Sequence, residues 1–183
     1  MTWRRVGAIY AALAALALAF VLLERAPERT PAPDDPGRPE RSLLGTEPER
    51  VRGLVLRREG RTVEARRNGE RWQVVAPPGA EVPPDLIAAT VATLTAGQVA
   101  EVMNDGARAD LATFGLTAPT SEIEVTIDGD TPRRVRVLLG ARNPTRTAIY
   151  AKRDDAPAVY MVGLNVRYYE DLIFEAIATA ARP

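Results

Sequence analysis

Three pairs of neighbouring acidic residues are natural places in this sequence to look for chemistry: Asp128 and Asp130 around Gly129, Asp154 with Asp155, and Glu170 with Asp171. Calcium coordination needs about six to eight oxygen ligands at defined positions. Asp128-Gly129-Asp130 lies between alternating apolar runs and reads as a hairpin turn. Asp154-Asp155-Ala156-Pro157 reads the same way. Glu170 and Asp171 occupy consecutive helical positions that point in different directions, which argues against a carboxylate dyad. Gly140-Ala141-Arg142-Asn143-Pro144 follows a strand-like run. It lacks the Lys-Ser/Thr pair and the spaced glycines of a phosphate loop, so it reads as a tight turn into an extended loop.

Histidine and cysteine are absent from the whole chain. Their absence removes the commonest general base, the commonest transition-metal ligand, thiolate chemistry, disulfides and lipid attachment at cysteine. Catalysis would have to use Asp, Glu, Ser, Thr, Tyr, Lys152 or Arg, and no spacing in the chain assembles a catalytic constellation from these. The expectation is a non-enzymatic protein with no catalytic, cofactor-binding or metal-binding residues. The 24 basic residues balance 24 acidic ones, so no overall field favours nucleic acid.

Arginines cluster locally. Arg57, Arg58, Arg61, Arg66, Arg67 and Arg71 fall in one short span, and Arg133, Arg134 and Arg136 in another. Glu59, Glu64 and Glu70 are interspersed, so a solvated sheet face is the plain reading and an anionic-ligand surface the sharper one. Tyr150, Tyr160, Tyr168 and Tyr169 suit core and rim packing, or the lining of a pocket. The loop from Ala141 to Ala148 is the longest break between the later strands, and so a candidate recognition surface.

The elements that must position these residues emerge from periodicity. Leu54 and Leu56, Val63 and Ala65, and Trp72 and Val74 alternate with polar neighbours, with Glu59-Gly60 and Asn68-Gly69 between the runs. This predicts a three-stranded antiparallel meander, with Trp72 buried, ending at Pro77 and Pro78. A helix is predicted from Pro83-Pro84-Asp85 through Ile87, Val91 and Leu94 to Gly97. A second short helix is predicted over Ala107–Thr113, capped by Gly115. Ile123, Val125 and Ile127, then Val135, Val137 and Leu139, predict a second hairpin, and Ile149–Arg153 with Ala158–Val162 a third. Asn165 is read as the cap of a last helix with the stripe Tyr169, Leu172, Ile173, Ala176 and Ile177. The fold class is α+β, with mainly antiparallel strands in two meander or hairpin groups separated by helices.

Ahead of this domain, Val6–Leu23 is an uncharged apolar run. As a helix it would span roughly 27 Å at about 1.5 Å per residue, close to a hydrocarbon core of about 30 Å. Arg4 and Arg5 precede the run, and Glu24 with Arg25 come directly after it, which orients the N-terminus to the cytoplasm. The segment is read as an uncleaved anchor, with a cleaved signal peptide as the alternative; both export the globular domain. The expected organisation is residues 1–5 cytoplasmic, 6–23 transmembrane, 24–50 a Pro- and charge-rich tether, and 51–183 a globular domain outside the cytoplasm. Ser42-Leu43-Leu44 reads as an isolated apolar patch within the tether, or as a contact with the domain or a partner.

Trp72-Gln73-Val74-Val75-Ala76-Pro77, Phe114-Gly115-Leu116-Thr117-Ala118-Pro119, Leu139-Gly140, Tyr150 and Val159-Tyr160 occur in an order that resembles the bacterial family of domains of unknown function numbered 4340 (DUF4340). The resemblance covers about Arg71 to Tyr169. It implies an N-terminal membrane helix and an accessory role near ABC-type transporter components or gliding-motility-like proteins, and it implies no reaction. The combined expectation is a membrane-anchored interaction module, contacting the bilayer through residues 6–23 and envelope or transporter proteins through its domain. The alternative is a periplasmic binding module for an anionic lipid or cell-wall ligand.

Overall fold

A computed structural model describes residues 42–96, 99–103 and 110–180. The apolar run 6–23, residues 1–5 and residues 24–41 of the expected tether lie outside the described residues. Among the described residues, no helix is long and apolar enough to cross a membrane.

Strands β1 (Val51–Arg58), β2 (Arg61–Asn68) and β3 (Arg71–Ala76) form the predicted meander. Helix α1 (Pro84–Ala96) and a short strand β4 (Val99–Met103) come next. Strands β5 (Ser121–Ile127), β6 (Arg133–Arg142), β7 (Ala148–Arg153) and β8 (Val159–Gly163) then lead to helix α2 (Asn165–Ala180). Among the described residues, all eight strands join one sheet in the order β3-β2-β1-β5-β6-β7-β8-β4, and every neighbouring pair is antiparallel. The two strand groups read from the sequence are therefore one sheet. The seam between them is β1 against β5, which opposes Leu54 to Val125 and Leu56 to Ile123.

Strand alternation sends one apolar set to a single face. Across it runs a row of opposed residues, Val63, Leu56, Ile123 and Val137, which ends on Arg153. Both helices cover this face: Ile87, Val91 and Leu94 of α1 and Val166, Ile173 and Phe174 of α2 belong to the same buried cluster as the strand residues. The opposite face carries Arg57, Glu64, Arg66, Glu124 and Arg134. The first hairpin turns through Glu59 and Gly60, both at positive φ (51° and 75°), as a type I′ turn requires. In the second, only Gly69 is left-handed and Asn68 still pairs with Arg71. Gly69-Glu70 is thus the two-residue loop there, with glycine first.

Five sequence expectations change. Leu43 and Leu44 are 2% and 1% exposed within the core, so residues 42–50 belong to the folded domain rather than to the tether. Of the short helix over Ala107–Thr113, the described part from Asp110 is a turn. It is closed by the Asp110 side chain and carbonyl accepting from Ala112 and Thr113 N–H. Strand β4 has no counterpart in the sequence expectations; among the described residues it pairs with β8 alone. The Tyr168 N–H already donates to the Leu164 carbonyl, so Asn165 lies inside the first turn of α2 rather than capping it. Strand β6 runs on to Arg142, which shortens the expected 141–148 loop to 143–147.

Candidate functional site

A groove of about 400 Å³ opens where the end of β1, the end of β6 and the first turns of α2 converge, lined by Arg58, Thr120, Gly140, Arg142, Arg167 and Asp171 among others. Each wall arises from local structure. Arg167 and Asp171 are four residues apart on α2 and share its face. Arg58 is the last residue of β1 and Arg142 the last of β6. Thr120 stands just before β5 and is fixed by its N–H donating to the Leu139 carbonyl at 2.8 Å.

Behind the groove lies a buried polar network. Glu170 is fully buried, and its Oε2 accepts from Arg167 Nη1 at 2.8 Å. The same guanidinium donates to Ser121 Oγ at 3.2 Å and, through Nη2, to Thr120 Oγ1. Burial raises the Glu170 carboxyl above its ordinary 4.5, against the opposing pull of Arg167, Ser121 and Arg58. On the outer side, Asp171 pairs with Arg58, whose guanidinium lies 4.6 Å from the Phe174 ring centroid. Glu170 therefore faces inward and Asp171 outward, as expected from their helical positions. Arg142 is exposed, and its side chain has no hydrogen-bond or ion-pair partner among the described residues.

Hydroxyl and acidic groups converge here, so their chemistry can be judged. A hydroxyl nucleophile needs a base to take its proton. The Thr120 hydroxyl donates to the Leu139 carbonyl at 3.0 Å and accepts from Arg167, so its proton is committed to a peptide oxygen. Ser121 accepts from Arg167 at 3.2 Å, is 2% exposed and is turned to the core. The arrangement holds guanidiniums in place; it does not activate a nucleophile.

The floor of the groove is where the family-like motifs meet. Ala141 N–H donates to the Phe114 carbonyl at 2.8 Å. A side chain on Gly140 would overlap that oxygen, and one on Gly115 (φ 66°) would come within 2.9 Å of the Ala141 nitrogen. The Phe114 ring packs edge-on to Tyr150 at 4.7 Å.

The acidic pairs read from the sequence are structural. Asp128 Oδ2 accepts from Arg52 at 3.1 Å, and Asp154 Oδ1 accepts from the Arg136 N–H at 2.9 Å. Asp155 is held below the ordinary carboxylate value by the Arg153 hydrogen bond, with Arg133 adding to it. No group of three or more metal-type ligands occurs among the described residues. Most of the clustered arginines are paired: Arg57 and Arg134 share Glu124 (3.2 and 3.5 Å), Arg61 meets Glu59 and Arg66 meets Glu64. The four tyrosines do not line one pocket, since Tyr150 contacts Phe114, Tyr168 contacts Tyr169 and Tyr160 is buried in the core. The 143–147 loop is tied by Asn143, whose Oδ1 accepts from the Thr147 and Ala148 N–H groups at 2.9 and 3.0 Å.

The burial of two residues named in the sequence, Glu170 and Arg153, is decided by the structure, though each carries a local signal of it. Glu170 is flanked at helical spacing by Val166, Ile173 and Ile177, a signal that it lies on the inner face. Arg153 ends the alternation Ile149, Ala151, Arg153, which carries the same message.

Comparison with known proteins gives one match. The model of the family described as Domain of unknown function (DUF4340) matches residues 72–179, more than half of the chain. Neither a curated protein nor a solved structure matches.

Proposed function

The chain belongs to the DUF4340 family, and from that premise we propose that it is a membrane-anchored, non-enzymatic interaction module that holds its domain outside the cytoplasm and docks there on an envelope or transporter protein. The observation that carries this reading is the face of the sheet that neither helix covers among the described residues. Across β2, β1, β5 and β6 it forms a shallow depression of about 540 Å³ lined by Arg52, Arg57, Arg66 and Arg134 against Glu64 and Glu124. The surplus is cationic; cross-strand pairs to Glu124 hold Arg57 and Arg134 in place, and Glu64 of the same strand holds Arg66. Such preorganised charge suits a partner presenting acidic side chains, because little side-chain freedom is lost on docking. Anchoring rests on the apolar run 6–23 and its flanking arginines.

The test uses the full chain in native membranes. Carbonate washing should leave it in the membrane fraction; release into the supernatant would overturn the anchor. A photo-reactive amino acid in place of Thr126, on the uncovered face, should crosslink to an identified transporter or envelope component. The paired charge reversal R57E/R134E should abolish that product. Equal crosslinking of the reversed variant, or of a probe at Thr179 on the helical side, would overturn the docking surface.

A further inference from the structure

The groove beside α2 is separate from the uncovered sheet face and is independent of the docking reading. Three guanidiniums reach it from three different elements: Arg58 from β1, Arg142 from β6 and Arg167 from α2. Two carboxylates also line it, but Glu59 is engaged by Arg61 at 3.2 Å, which leaves Asp171 as the acidic group facing the arginines. Arg167 is fixed from behind by Glu170, Ser121 and Thr120. Arg58, whose side chain is 14% exposed, is held by Asp171, which is 55% exposed, so the carboxylate side of the pair is open to replacement by a better anion. Arg142 has all its side-chain donors free among the described residues.

A single arginine fork satisfies a planar carboxylate. Guanidiniums approaching from three directions match a tetrahedral oxyanion with several acceptor oxygens. We propose that this groove binds a phosphate group, with Arg142 as the free donor, Arg58 and Arg167 as flanking donors, and Asp171 as a built-in competing carboxylate. The phosphate could belong to a lipid headgroup or to a free ion, and the two sources are separable by experiment.

The probe is inorganic phosphate, added at constant ionic strength to the full chain in a neutral detergent and followed by the arginine Nε–H resonances. Saturable shifts are expected at Arg142 and Arg167, about tenfold weaker in affinity for R142Q and severalfold tighter for D171N. R71Q, at the start of β3 and away from the groove, should titrate like the parent. The Arg142 side chain has no partner to lose, so R142Q reports binding rather than folding. Non-saturating shifts shared by Arg71, or a D171N variant that binds no better than the parent, would overturn the site. The chain in phosphatidylglycerol nanodiscs, set against phosphatidylcholine nanodiscs, identifies the source. The same shifts without added phosphate in phosphatidylglycerol, or in both lipids since phosphatidylcholine also carries a phosphodiester, assign the headgroup, and shifts with inorganic phosphate alone assign the free ion. Absence from both arms rejects the proposal.

Discussion

Arg153 donates through Nη1 to the Leu43 carbonyl at 3.2 Å, across 110 positions of sequence. The guanidinium stands at the end of an apolar row on the covered face, and Asp155 engages its other side at 2.7 Å. A charged group on a core face is tolerable only when paired and hydrogen-bonded. Here the pairing also fastens the segment that precedes β1, whose Leu44 N–H donates to the Leu94 carbonyl of α1 at 3.1 Å.

That fastening predicts where the domain begins. A chain starting at Ser42 should unfold cooperatively, and one starting at Val51 should be much less stable, because it loses two buried leucines. Leu43→Ala alone should lower stability by about 2–5 kcal/mol, read from urea midpoints. A midpoint unchanged by Leu43→Ala would mean that the segment only rests on the surface.

Gly140→Ala should displace the 114–116 turn, since the new methyl would meet the Phe114 carbonyl oxygen and Leu116. Overpacking of this kind costs about 1–3 kcal/mol. Gly163→Ala meets open space and should be close to neutral. Thermal denaturation of the two variants side by side checks the contrast.

Asn143→Ala should cost about 1–3 kcal/mol, because it strips an acceptor from the Thr147 and Ala148 N–H groups. Asn143→Asp keeps that acceptor while losing the Nδ2 donor to Thr145, Thr147 and Met161 and adding a carboxylate charge. Faster amide exchange at Ala148 in the alanine variant than in the aspartate variant is the expected signature.

Glu170 and Asp155 should tilt the pH profile in opposite directions. The folded-state value of Glu170 is raised from 4.5 by burial, so in the window above 4.5 the folded chain binds more protons than the unfolded one. Its contribution therefore falls as pH rises through that window. Asp155 is lowered from 3.8, chiefly by the Arg153 hydrogen bond; its contribution is present above 3.8 and lost as pH falls through its folded-state value. Urea midpoints across pH should show E170Q without the decline above 4.5 and D155N with a shallower acid loss. Parallel profiles for E170Q and the parent would contradict the Glu170 assignment.

Local pattern carried much of this fold. Period-two alternation located seven strands, helical spacing located both long helices, and Glu59-Gly60 and Asn68-Gly69 marked the first two turns, because those signals need only residues close in sequence. Strand β4 carried no such signal: Val99–Met103 is short, lies at a sheet edge and gains its structure from β8. The composition at Asp110 permits helix and turn alike, and the turn is closed by Thr113 N–H donating to the Asp110 carbonyl while the Phe114 carbonyl docks on Ala141 N–H.

The acidic pairs could be dismissed as turn and helix residues from spacing alone, whereas the groove could not be foreseen. Arg58, Arg142 and Arg167 are far apart in the chain and converge only when α2 lies across the ends of β1 and β6. The sequence by itself determined which residues alternate, which cannot do imidazole or thiol chemistry, and which apolar run is suited to a bilayer. The tertiary structure decided that two strand groups are one sheet, that Leu43 and Leu44 are core, and that Glu170 is buried. Each of those outcomes depends on long-range burial and on the pairing of polar groups removed from water, which no local window contains.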